Sequence, residues 1–277
     1  MRSKLALALF LTMIMTAVLL GCGEEQVPKI KDVSDLGGKV IAMLSTPLAT
    51  KDMDSFISKY IGFSPRDINY FNRYSDAITA TLTGKADAVY VPKFISEYYV
   101  KRNNKLASVK SRRHDEQNII MVVRSEDQKL KDNLDSAIDT LQKDGTMQRL
   151  EKEWITNLPA NKELVAGEVS KIPGAKTIYV GVCGDMVPLD YIAVDGRPAG
   201  FNVALLTETG KILYTNFEFV SLDFQARFTA LKSKKIDLVF YHDDIKTFAA
   251  NQELKDGSWL GTKPYYTTET GYFLVKK

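Results

Sequence analysis

The chain has 277 residues, 45% of them hydrophobic and 26% charged, a globular mixture that excludes a disordered, collagen-like or disulfide-scaffold protein. Net charge is only +3 with both signs interspersed, so the electrostatic footprint of a nucleic-acid binder is missing. Two cysteines, Cys22 and Cys183, make no disulfide framework, and two histidines, His114 and His242, stand in no metal-ligand spacing.

The first element is a leader. Arg2 and Lys4 precede an apolar run from Leu5 to Leu20, which is short for a bilayer span but has the length of a signal-peptide core. It ends in Leu19-Leu20-Gly21-Cys22, which resembles the lipobox of bacterial lipoproteins. Small Gly21 admits a peptidase, and only the Cys22 thiol can form a thioether with a diacylglyceryl group. The resemblance implies removal of residues 1–21, lipidation at Cys22 and a polar tether over residues 22–30. Two or more acyl chains give stable anchoring where one is marginal. The expected location is extracytoplasmic, on a membrane surface.

Beyond the tether, short β-type runs alternate with amphipathic segments. Strands are expected at Val40–Leu44, Ala88–Val91, Ile119–Val123, Ile178–Val182, Phe217–Val220, Asp237–Tyr241 and Tyr272–Val275. Leu134, Ala137, Ile138 and Leu141 repeat at helical spacing, and Met147, Leu150 and Trp154 continue after Gly145. This alternation predicts an α/β protein with mainly parallel sheets and helices on both faces. Residues 157–176, polar and rich in Gly and Pro, read as an internal linker.

Two segments on either side of that linker are alike. Thr83-Gly84-Lys85-Ala86-Asp87-Ala88-Val89 and Ser233-Lys234-Lys235-Ile236-Asp237-Leu238-Val239 both run helix end, basic turn, Asp, buried strand. These words resemble the bacterial extracellular solute-binding proteins, family 3, the polar amino-acid receptors of ABC importers. Further words carry the likeness: Gly200-Phe201-Asn202-Val203, Thr262-Lys263-Pro264-Tyr265-Tyr266, Asp35-Leu36-Gly37-Gly38-Lys39-Val40 and Asp144-Gly145-Thr146 through Trp154. The resemblance implies the two-lobed periplasmic-binding protein type II fold with a hinge between lobes.

The order of the words is inverted. Those of the family's second lobe fill residues 31–117, and those of its first lobe with the returning helices fill residues 118–277. The sequence thus reads as circularly permuted, with Lys31 beside Lys277 and Ile119–Val123 the single covalent crossing between lobes. Chain ends that lie close together make permutation physically cheap. A fragmentary tandem completed by exchange between two chains is the alternative.

The ligand positions depart from the family pattern. Ala249 stands where a carboxylate-clamping arginine is usual, and Pro92 where an aspartate holds the ligand ammonium. Pro47 interrupts the donor loop Ser45-Thr46-Pro47-Leu48, and Leu189 replaces a sandwiching aromatic. The remaining polar candidates for ligand binding are Arg227, Asp185, Ser45, Thr46, Tyr241 and Asp244. Arg227 reads either as pointing into the cleft or as a solvated helix arginine. Asp185 and Tyr241–Asp244 follow strand ends, where α/β ligands bind or turns are capped. Cys183 reads as a small buried hydrophobe.

No G-x-G-x-x-G, Walker sequence, G-x-S-x-G or H-E-x-x-H occurs, so no catalytic residue, cofactor or metal is expected. The leading reading is a membrane-anchored solute-binding lipoprotein. It would present a small polar solute to an ABC permease, touch the bilayer through Cys22 and bind no nucleic acid. A sensor or adaptor lipoprotein of the same fold with a degenerate pocket is the second reading. An enzyme on this scaffold is the third.

Overall fold

The computed structural model describes residues 30–45, 62–112, 115–160, 171–224, 226–243 and 257–277. Each of two large sheets is built on the apolar runs seen in the sequence. The first contains β1 (Val40–Leu44), β2 (Asp67–Phe71), β3 (Ala88–Val91), β4 (Leu106–Lys110) and β14 (Tyr272–Lys276), in the order β2-β1-β3-β14-β4. The second contains β5 (Glu116–Arg124), β6 (Lys176–Val182), β10 (Thr215–Ser221), β11 (Leu238–Asp243) and β12 (Trp259–Gly261), in the order β10-β6-β11-β5-β12. A further strand, β13 (Tyr266–Glu269), pairs with β5.

The two orders are one pattern. In each sheet the first strand lies between two parallel neighbours, and a strand arriving from the other lobe runs antiparallel beside the third. Parallel strands need crossover helices on the faces. The first lobe supplies α1 (Tyr74–Leu82) and α2 (Lys93–Arg102). The second lobe carries α3 (Gln128–Lys143), α4 (Thr146–Glu151), α5 (Phe201–Leu213) and α6 (Ala226–Lys232). The helical repeat read from sequence is the buried face: Leu134, Ala137, Ile138 and Leu141 of α3, then Met147, Leu150 and Trp154.

The repeated sequence word has a structural cause. Asp87 accepts the Val40 N–H at 2.9 Å and returns its own N–H to the Val40 carbonyl at 2.8 Å, locking β3 beside the start of β1. Asp237 does the same to Tyr179 of β6, at 3.0 and 2.7 Å. The preceding turn needs a left-handed residue in both lobes. Gly84 supplies it at φ 78°, whereas Lys234 adopts φ 61° without glycine's freedom.

Among the described residues two connections join the lobes, one more than expected. Ser111 and Arg112 follow β4, Asp115 precedes β5, and Thr270 and Gly271 lead from β13 to β14. The segments run side by side, with Ser111 N–H on the Gly271 carbonyl at 2.7 Å and Thr270 N–H on the Asp115 carbonyl at 3.0 Å. The expected grouping of residues 118–277 in one lobe also changes at its end, because β14 pairs with β3 and β4 of the first sheet. Phe273 and Val275 are wholly buried, and burial beside Ile41 and Ala88 favours that place. At the hinge Glu269 accepts from Lys110 at 2.7 Å, Lys93 at 3.0 Å and the Tyr272 hydroxyl at 3.1 Å. Lys110 and Lys93 hold its carboxyl down at about 2, against an ordinary 4.5.

One apolar cluster runs from Ala42, Ala77 and Val89 of the first lobe to Val180, Leu205 and Phe240 of the second. Among the described residues no helix is long and apolar enough to cross a membrane. Cys22 and the leader lie outside the described residues.

Candidate functional site

In open parallel sheets, ligands bind beyond the carboxyl ends of the strands. Four such ends meet here, two from each lobe. Leu44 ends β1, Asn72, Arg73 and Tyr74 follow β2, Cys183 and Asp185 follow β6, and Leu222, Asp223 and Phe224 follow β10. Together with Met186 they line one interlobe cavity. Its volume is about 10 Å³, room for on the order of one water.

What closes it is a bond between lobes. An Asp185 carboxylate oxygen accepts the N–H of Ser75, on the first turn of α1, at 3.2 Å, and the Arg73 Nε lies 3.9 Å away. The Asp185 side chain is 11% exposed. Burial pushes its carboxyl above the usual carboxylate range, opposed by the Ser75 and Tyr74 bonds and the Arg73 charge. Burial also pushes the Cys183 thiol up to about 12, which leaves no thiolate for chemistry at neutral pH.

The turn carrying Asp185 rests on a buried polar network. Gly184 takes φ 66°, and a Cβ there would come within 2.9 Å of Ile192. Its N–H donates to Asp190 at 3.3 Å. Asp190 also accepts from the Asn202 side chain at 3.1 Å, and Asn202 in turn accepts from the Tyr265 hydroxyl at 2.8 Å. All three are buried, Tyr265 at 3% exposed and Asp190 and Asn202 at 1%. Burial raises the Asp190 carboxyl, and the nearby Arg227 charge opposes that rise. Gly200, at φ 113°, lets the start of α5 approach the Leu189 carbonyl, where a Cβ would clash at 2.4 Å.

Arg227 is neither of the things its sequence context suggested. It is 1% exposed, donates to the Phe240 carbonyl at 2.9 Å and the Phe224 carbonyl at 3.4 Å, and lies 4.2 Å over the Phe224 ring. It braces the cleft floor from below, because α6 packs directly on β6 and β11 and turns that position inward. Asp185 lines the cavity. Ser45 lies half-buried at the end of β1, with its N–H on the Phe71 carbonyl at 2.7 Å. Tyr241 points away, edge-to-face on Phe228 in a separate core on the far side of the second sheet. Period-2 alternation explains this, since Phe240 and Tyr241 must face opposite sides. Thr46, Asp244, Pro47 and Ala249 lie outside the described residues. Pro92 is buried at the N-cap of α2, and Leu189 is wholly buried.

Sequence reading passed over Arg73, Ser75 and Asp190, and Tyr265 entered only within the Thr-Lys-Pro-Tyr-Tyr word. Asn202 was visible only as part of the Gly-Phe-Asn word. A second concavity of about 600 Å³ runs along the hinge, between α2, β13 and the turn after α4. Lys93, Glu97, Glu116 and Glu269 are among its charged walls, and none of the candidate residues named from sequence lines it. Among the described residues no group of three or more His, Cys, Asp or Glu could hold a metal ion.

Parts of the chain are similar to known proteins. Residues 178–276 match the family described as bacterial extracellular solute-binding proteins, family 3, and residues 11–134 match one described as NMT1/THI5 like. No curated protein matches the chain. Similar solved structures include the amino acid ABC transporter substrate-binding protein AbpA from Streptococcus pneumoniae bound to L-arginine, at 13% identity, 87% of this chain, 82% of that chain and TM-score 0.44. Another is the probable amino-acid ABC transporter extracellular-binding protein ytmK from Bacillus subtilis, at 9%, 86%, 83% and 0.45. A third is the GluR0 ligand-binding core from Nostoc punctiforme in complex with L-glutamate, at 11%, 86%, 84% and 0.40. The likeness to the bacterial extracellular solute-binding proteins, family 3, thus covers residues 178–276, from β6 to the end of β14.

Proposed function

We propose that the protein is an extracytoplasmic solute-binding lipoprotein, anchored through Cys22, that delivers a small polar solute to an ABC permease. One observation carries this reading. Two lobes of equal sheet order are joined by a paired hinge, and the carboxyl ends of strands from both lobes face one another across a cleft. Hinge closure around a solute is the motion such a build permits. The inverted order of the lobes is read as circular permutation, supported by Ile30, Val33 and Leu36 sharing a core with Phe273 and Val275. Of the candidate ligand residues, Asp185 lines the cleft, which supports a role for it there.

The solute is not expected to be an ordinary free α-amino acid held in the family manner. Its two charges would need partners as the lobes close, and Ala249 and Pro92 offer neither an arginine fork nor a carboxylate. Thermal unfolding against a metabolite panel tests the reading, because a true solute at 100 times its Kd adds about 2.7 kcal/mol. A panel in which nothing shifts the transition would favour the sensor or adaptor reading instead. The near absence of space in the closed cleft speaks for that second reading.

A further inference from the structure

Helix α1 lacks a cap of its own. Its N-cap residue is Arg73, which makes no side-chain cap bond, and the helix begins Tyr74-Ser75-Asp76. The first N–H groups of a helix have no intrahelical partner, and Ser, Thr, Asp or Asn at the N-cap normally accepts from the second or third helical residue. Ser75 is that second residue, and its N–H is satisfied by Asp185, 110 positions away on the other lobe. The cap is supplied in trans.

We infer that Asp185 is an interlobe latch: by capping α1 across the cleft it holds the lobes closed without solute and competes with solute for the same space. Three observations converge. A carboxylate at the positive end of α1 is electrostatically favoured there. The turn bearing Asp185 is fixed by the Gly184–Asp190 bond, so the carboxylate is held in position and not free to swing. With the bond made, the cavity of about 10 Å³ admits on the order of one water and no larger solute. The latched form is thus closed but not competent to bind, and apparent affinity falls by the fraction of molecules held in it.

This inference rests on the solute-binding reading for its purpose, though not for its geometry. The test uses the full chain in detergent, without solute, carrying a fluorophore pair on unnatural amino acids at exposed Thr79 in the first lobe and Val194 in the second. Asp185→Ala should lower energy transfer relative to the unmutated chain, reporting a longer separation. Arg73→Ser offers α1 a local hydroxyl cap, and at an exposed position it leaves the fold intact. It should lower transfer too, because Asp185 is no longer needed. Unchanged transfer in either variant, with far-UV circular dichroism showing a folded chain, overturns the latch. The two readings fail separately. A latch that opens beside a silent metabolite panel leaves the latch standing and removes the solute, and a panel hit on a chain that stays closed as Asp185→Ala does the reverse.

Discussion

Replacing Arg227 by methionine keeps most of the aliphatic volume in the floor of the cleft and removes the guanidinium alone. The 2.9 Å bond to the Phe240 carbonyl is a short charge-assisted contact, and that to Phe224 at 3.4 Å is a weak one. Hydrogen bonds from charged groups contribute about 1.5–3 kcal/mol, so the pair accounts for roughly 2–4 kcal/mol. Asp190, wholly buried, would also lose the positive charge that opposes the rise of its carboxyl. Breaking a buried charge arrangement by removing one partner costs about 3–5 kcal/mol, which sets the expectation at about 3–4 kcal/mol. At this chain length each kcal/mol moves the melting temperature by about 2–4 °C, so a fall of roughly 6–16 °C is expected. Urea unfolding followed by circular dichroism, with calorimetry alongside, measures both. A loss below about 1 kcal/mol would refute the bracing role and return Arg227 to the cleft as a ligand-facing group.

Four further outcomes follow from particular contacts. Tyr265→Phe leaves the Asn202 carbonyl oxygen buried without its donor and should cost about 1–2 kcal/mol in urea unfolding; a neutral result would remove the network beneath the cleft. Lys234→Gly relieves a left-handed lysine and should raise stability by about 0.5–1 kcal/mol, since its exposed pair with Glu126 contributes little. Glu269 has a depressed carboxyl, so its stabilisation is complete above about 4.5 and is lost as pH falls through about 2; Glu269→Gln should flatten the loss of stability between those limits, and a parallel curve would contradict the hinge ion pairs. Cys22→Ala should abolish fatty-acid labelling of the chain, and persistent label would defeat the lipoprotein reading.

What the sequence shows and what it hides divide along a physical line. All seven apolar runs are strands: six lie inside a sheet, where a run covered on both faces needs no partner to be recognised, and the seventh, β10, is an edge strand with only Phe217 buried. β2 (DINYF) and β4 (LASVK) are edge strands with mixed polarity, and β7 (Asp185–Met186), β8 (Asp190–Ile192) and β9 (Pro198–Ala199) are too short to carry a period. At the site, Asp185 was legible as a residue following a strand, whereas its partner Ser75 is an ordinary helix-start serine. Nothing local marks a contact 110 positions long. Arg227 shows the opposite failure. A helix arginine reads as solvated or functional, yet the aromatic shelf of Phe224 and two carbonyls make a buried place for it.

The paired hinge alters what inverted lobe order means for motion. A single covalent crossing would have left one lobe free to swing about one strand. Instead Ser111 and Asp115 bond to Gly271 and Thr270 of the second connection, and Glu269 ties the end of β13 to Lys93 and Lys110 of the first lobe. If the order arose by permutation, as proposed, the cut fell within the first lobe. There the described start at Ile30 and the last strand β14 share one core, and the Lys277 N–H reaches the Lys105 carbonyl at 2.9 Å. A cut at that place spares both crossings. Bending is then confined to the few residues between the ladder of β5 with β13 and the ladder of β14 with β4, which turns the lobes about one axis. Rotation about that axis carries Asp185 toward or away from α1, so the hinge that a solute would use is also the hinge on which the latch acts.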